Sequence, residues 1–202
     1  MGFLAGLLLP AISSAGETAR KVQCINQFRQ IGIALHSYRD QHSGRPPGWQ
    51  WESTHQSAYR WSVPLLSILE QPAVFRQTHR NRALTDPTNT TSRTTSLAIF
   101  LCPSDISERT FTLPEENETE SPIVLTPLVE VPTANYVGVH GTTGPDEVPQ
   151  SHCGEGAFVE SRSIRFSEFP RGLSQTLFVG ERKMARLPAT WLGGDKRGED
   201  TA

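Results

Sequence analysis

With 202 residues, a net charge of −2 and 36% hydrophobic content, the chain is sized for one domain and carries no electrostatic footprint for nucleic acid. No Lys/Arg run, basic-and-aromatic interleaving or zinc-finger spacing appears, so nucleic acid is not an expected partner. The 15 prolines and 16 glycines require many turns and long loops.

Residues 4–41 dominate the start. Leu4, Leu8, Ile12, Ala15, Ala19, Val22, Ile25, Phe28, Ile31, Leu35 and Tyr38 recur at steps of three and four, which predicts a helix burying one continuous seam. Glu17, Arg20, Lys21, Gln27, Arg29, Gln30, Arg39 and Asp40 are assigned to the solvent face. Thirty-eight residues at about 1.5 Å each give a rod of roughly 57 Å, longer than a globular helix usually needs. Gly44 and Pro46-Pro47-Gly48 stop it. Its first part, residues 3–12, is apolar but well short of the roughly 20 residues that span a bilayer. No basic stretch precedes it and no signal-cleavage pattern follows. A soluble chain with a greasy end and a chain lacking a longer upstream apolar segment both fit.

The next stretch holds Trp49, Trp51, Tyr59 and Trp61, either an exposed aromatic binding surface or, more commonly for such residues, packing against the helix. Residues 61–69 predict a short strand or turn leading into a helix with Pro64 in its first turn; Val74 and Phe75 prolong it or begin another. Polar, Thr-rich 81–96 reads as a loop, 97–101 as a short buried strand, and acidic 115–120 as a solvated connector. Asn89 and Asn117 head glycosylation-type triplets, which indicates surface exposure. Strands are expected at 135–139, 157–159 and 176–181, with a strand edge or turn at 164–167 and a fraying tail after Leu192. Helix first and strands later make the fold class α+β, with long loops around an antiparallel sheet.

The motifs of common enzymes are absent: no nucleophile elbow, phosphate loop, dinucleotide fingerprint or HExxH. The chain is therefore not expected to be an enzyme, and no catalytic, cofactor-binding or metal-binding residue is assigned. His36 and Asp40 form a helical surface pair. His140, His152 and Cys153 lack ligand spacing for a metal. Glu115, Glu116, Glu118 and Glu120 lack the burial that tunes a general acid. Asp105, Asn135, Asp146 and Glu147 offer hard oxygens of the kind calcium takes, although turn capping is the commoner role for such residues. Cys24, Cys102 and Cys153 are widely spaced; an oxidised pair with one thiol left over and three buried thiols both fit, and the compartment decides.

The segment LLLPAISSAGETARKVQCINQFRQIGIALHSYRDQHSGRPPG resembles the start of the planctomycete prepilin-like family of unknown function, sometimes labelled solute-binding. The likeness continues in order through Trp61-Ser62-Val63-Pro64-Leu65-Leu66, Phe100-Leu101-Cys102-Pro103-Ser104-Asp105, Asn135-Tyr136-Val137-Gly138 and Gly172-Leu173-Ser174-Gln175-Thr176-Leu177-Phe178-Val179-Gly180-Glu181. The resemblance implies a fold similar to type IV pilins and type II secretion pseudopilins, with the long N-terminal helix packed on an antiparallel sheet. It implies a non-enzymatic subunit of a filament or secretion-related surface assembly, with an extracytoplasmic solute- or glycan-binding module as the alternative. It further implies that residues 1–14 are the remnant of a membrane and assembly segment, that 15–202 form one globular domain, and that the C-terminus is shortened. Partners would be other pilin-like subunits through the N-terminal helix and, in the full-length form, the inner membrane of the cell envelope. Export of such a protein would make Cys24–Cys102 a disulfide tying helix to sheet and leave Cys153 free. Arg171 and Gln175 depart from the family's usual Asp and Asn around the Gly-Leu-Ser turn.

Overall fold

The computed structural model describes residues 2–49, 54, 56–105, 107–117, 124–141, 156–158, 163–186 and 188–198. The chain begins with α1, Gly2–Gln41, a helix of 40 residues. The seam expected along it is not a single face. Between Ala19 and Ile31 four successive three-residue steps each fall about 60° short of a full turn, so the row swings through about 240°. It therefore crosses from one side of the helix to the other. The side that docks is formed by Cys24, Gln27, Ile31, Ala34 and Leu35, all buried, with Phe28 and Tyr38 half-buried beside them. These positions fall within about 120° of helix circumference. Gln27, assigned to solvent by the sequence, is only 7% exposed. Val22 and Ile25, assigned to the seam, and Ile33, outside it, are 52%, 42% and 66% exposed and lie on the opposite side. The helix ends where Gly44 adopts φ +81° and its N–H donates to the Arg39 carbonyl at 3.0 Å.

Beneath the helix, the 3₁₀ turn Val63–Ser67 has Pro64 in its first turn as its spacing predicts, and α2, Pro72–Gln77, follows as a separate turn. The expected loop at 81–96 contains two more helical pieces, Pro87–Asn89 and α3, Thr90–Thr94. Asp86 caps the first, accepting from the Thr88 N–H at 2.9 Å, with Pro87 at the first position. Asn89 is fully buried: its Nδ2 donates to the Tyr59 hydroxyl and to the His79 and Ala83 carbonyls, and its Oδ1 accepts from the His79 N–H. That carboxamide is structural, contrary to the surface exposure its triplet suggested.

The strands pair antiparallel, so the α+β class holds, but among the described residues they form three two-stranded ladders rather than one sheet. β1 (Ser57–Tyr59) pairs with β6 (Gly193–Asp195), β2 (Thr110–Asn117) with β3 (Val124–Pro132), and β4 (Tyr136–Gly138) with β5 (Val179–Glu181). The β2–β3 hairpin takes up Glu115, expected in a solvated connector, and its register slips between Leu113 and Pro114, where proline has no N–H to give the ladder. Residues 97–101 are buried as expected but form the 3₁₀ turn Ala98–Phe100. There the Ala98 carbonyl accepts both the Leu101 N–H and the Gln27 side chain. Of the strand expected at 157–159, Val159 lies outside the described residues; the N–H groups of Gly156 and Phe158 donate to the His140 and Val139 carbonyls without a regular strand, and at 164–167 a single turn, Phe166–Glu168, forms. Leu177 is 65% exposed, and only Val179–Glu181 of 176–181 is strand.

As far as Gly198 the tail expected to fray is instead anchored, and 199–202 lie outside the described residues. Asp195 is 2% exposed, accepts the Ser57 hydroxyl at 3.1 Å and is held by Arg197 at 2.8 Å. Gly193 allows this pairing because a Cβ there would sit 2.2 Å from the Ala58 carbonyl oxygen. The core between the ladders is aromatic. Trp61 stacks on Phe158 at 5.0 Å, and Phe100 on Trp191 at 6.2 Å. No helix among the described residues is long and apolar enough to cross a membrane.

This division of α1 makes a direct prediction. Ile31→Ala should cost about 2–5 kcal/mol in a urea melt, the usual range for a buried isoleucine. Ile33→Ala should cost under about 0.5 kcal/mol. Equal effects would show that the two faces are not distinct.

Candidate functional site: a thiol pair on the helix–head seam

The polar groups of the chain converge where α1 meets the head. Gln27 reaches from the helix to donate to the Ala98 carbonyl at 2.6 Å and accepts the Tyr136 hydroxyl at 2.8 Å. One turn earlier, Cys24 Sγ lies 3.0 Å from Cys102 Sγ, and both residues are buried. A carboxylate oxygen of the exposed Glu181 stands within 4.8 Å of both sulfurs. Phe28 closes the side with its ring 4.7 Å from Tyr136, edge to face.

Asn135 holds these pieces in place. It is 1% exposed, and its Oδ1 accepts the Cys102 N–H at 2.8 Å. Its Nδ2 donates to Asp105 Oδ2 at 2.6 Å and to the Arg182 carbonyl at 3.0 Å. Its backbone N–H reaches the Phe100 carbonyl, and its own carbonyl accepts from the Arg182 N–H, each at 2.8 Å. Cys102, Tyr136 and Glu181 are thus each fixed through Asn135 or the residue next to it. Asp105 Oδ2 also accepts the Met184 N–H at 2.9 Å. The oxygens of Asp105 and Asn135 proposed as calcium ligands therefore hold backbone amides; Asp146 and Glu147 lie outside the described residues.

The electrostatics of the pair follow from burial. Removal from water pushes the Cys102 thiol up to about 12, and the neighbouring Cys24 thiol and Glu181 carboxylate push the same way. Tyr136 is likewise raised, first by burial. Elsewhere burial, then Asp86, pushes Tyr59 up to about 12, while its hydroxyl donates to the His79 and Arg82 carbonyls.

The aromatic residues singled out from sequence are not gathered on an open face. Trp49 is 8% and Trp61 5% exposed, and Tyr59 is half-buried with its hydroxyl engaged internally; Trp51 lies outside the described residues. Trp49 and Trp61 border a cavity of about 30 Å³ with Arg60, His140 and Phe158, room for a water or two but far below a solute site of about 300 Å³. Of the cysteines, Cys24 and Cys102 meet, and Cys153 lies outside the described residues, as does His152. Sequence reasoning missed Glu181, Gln27 and the hub role of Asn135. A polar Gln amid apolar helix spacing was the one local signal.

Two outcomes follow. Asn135→Ala leaves at least two buried backbone groups and Asp105 short of partners and should cost about 3 kcal/mol by urea denaturation. The raised groups favour their neutral forms, so under reducing conditions stability is full below pH 9 and falls as pH rises through 10 towards 12. Tyr59→Phe should lower Tm yet flatten its slope above pH 10; an unchanged slope would remove Tyr59 from this account.

No curated protein and no solved structure is significantly similar to the chain. A family model described as a protein of unknown function (DUF1559), and named SBP_bac_10, matches residues 13–201. The chain belongs to that family.

Proposed function

We propose that the chain is a pilin-like or pseudopilin-like subunit of a filament or secretion-related assembly in the cell envelope, with a structural rather than catalytic role. The supporting observation is the second face of α1. Val22, Ile25 and Ile33 are exposed, fall within about 80° of helix circumference, and stand opposite the docked face. A helix needs one apolar face to hold a head; a second group of exposed apolar side chains, which shares its side of the helix with the exposed Arg29, is suited to another partner. Further pilin-like subunits, presenting the same group, are the partners this reading names. The leucine-rich sequence at residues 3–12 would extend the contact towards the inner membrane.

The alternative, capture of a solute or glycan, draws support from the family's solute-binding label. It has less behind it in the head, where Trp49 and Trp61 are committed to packing and the cavity beside them is small.

Burying an exposed isoleucine is worth about 1.5–3 kcal/mol, so a charge in its place should weaken association at least tenfold per site. Sedimentation of the full chain over a concentration series should show self-association that Ile25→Asp with Ile33→Asp abolishes while Tm moves little. A wild-type chain that stays monomeric throughout, or a variant that associates equally well, would count against the assembly reading. A Tm rise with a glycan or small solute would favour the alternative.

A further inference from the structure

We infer that Cys24 and Cys102 close into a disulfide that staples α1 to the head. The inference concerns the docked face of the helix and stands whether or not copies of the chain associate through the other.

Three observations carry it. The sulfurs are 3.0 Å apart on elements also joined by Gln27, Glu17 and Phe28, so forming the bond requires little movement of the backbone. Both thiols are buried, at 8% and 4% exposure, so the bond, once closed, is shielded from external thiols. With Glu181 the two cysteines form a donor set of the kind zinc takes, and the geometry decides between the two uses. Two thiolates on one tetrahedral zinc, each about 2.3 Å from the metal, stand roughly 3.7 Å apart. The observed separation is shorter, so a metal would have to push the helix away from the head, whereas a disulfide draws it in.

The chemistry is thiol–disulfide exchange with an external disulfide as oxidant. The Cys102 thiol loses its proton to solvent base, and its thiolate attacks one sulfur of the external disulfide, breaking its S–S bond and forming a mixed disulfide. The departing thiolate takes up a proton from water. Cys24 then loses its proton to solvent base and attacks Cys102 Sγ, forming the internal bond and releasing the second external thiol. Two protein thiols are oxidised and one external disulfide is reduced to two thiols. Because burial and the neighbouring carboxylate hold Cys102 in the thiol form, closure is slow at neutral pH and quickens as pH rises.

The test uses the full chain carrying Cys153→Ser, reduced and then exposed to oxidised glutathione at pH 8. Peptide mapping without reduction should recover a Cys24–Cys102 linkage, and the oxidised protein should melt higher than the reduced one. A variant that also carries Cys24→Ser should show no such response. Closure should be faster at pH 9 than at pH 7, as attack by a buried thiolate requires. Circular dichroism of the reduced variants reports whether each is folded. Both thiols remaining alkylatable in the folded, oxidant-treated chain would overturn the staple. So would stoichiometric binding of zinc that blocks oxidation.

Discussion

The carboxamide of Asn135 is the point on which the helix–head seam depends. With its backbone groups it meets Cys102, Asp105, Arg182 and Phe100, four residues from two distant parts of the chain. A buried Asn with every N–H donated is rigid, because any displacement exposes several unpaired groups at once. Tyr136, next in sequence, is thereby aimed at Gln27, and Glu181, beside Arg182, is brought to the sulfurs. The helix is received by a surface that is already fixed.

This arrangement explains why α1 is divided along its circumference. Docking needs the apolar positions at 28, 31, 34, 35 and 38 together with one polar anchor, Gln27, and one small polarizable side chain, Cys24. Those requirements consume one face. The apolar residues left over at 22, 25 and 33 have no role in holding the head, since all three are substantially exposed. Exposed apolar side chains have a cost in solubility, and the assembly reading gives them a use.

The fold was legible where one residue type fixes local geometry. Pro64 in the first turn of Val63–Ser67 and Gly44 with Pro46 ending α1 act within a few bonds, so position alone reveals them, whereas the Asp86-Pro87 cap was passed over in a Thr-rich stretch read as a loop. The α+β class was also legible from the order of segments. The rest depends on partners far away in sequence. A run of apolar residues at 97–101 is buried either as strand or as turn, and Gln27, some seventy residues earlier, supplies the hydrogen bond present in the turn. Prolines and glutamates in β2 and β3 conceal the Phe111, Leu113, Val129 and Val131 alternation. The tail looked soluble because Asp195 and Arg197 are charged, yet burial of Asp195 depends on Ser57, 138 residues before it. Of the site, the two cysteines were visible as residues but their meeting rested on the family resemblance; Glu181 carried no local signal at all.

Native-state hydrogen exchange along α1 tests the division of the helix most directly. In dilute solution, amides of residues 24–38 should exchange only through global unfolding, while those of 14–22 should exchange orders of magnitude faster and slow down as concentration rises. Equal protection along the whole helix at every concentration would contradict the account, because it would mean that the early turns are held by the head well beyond the one Ser104–Glu17 hydrogen bond and gain nothing from a partner.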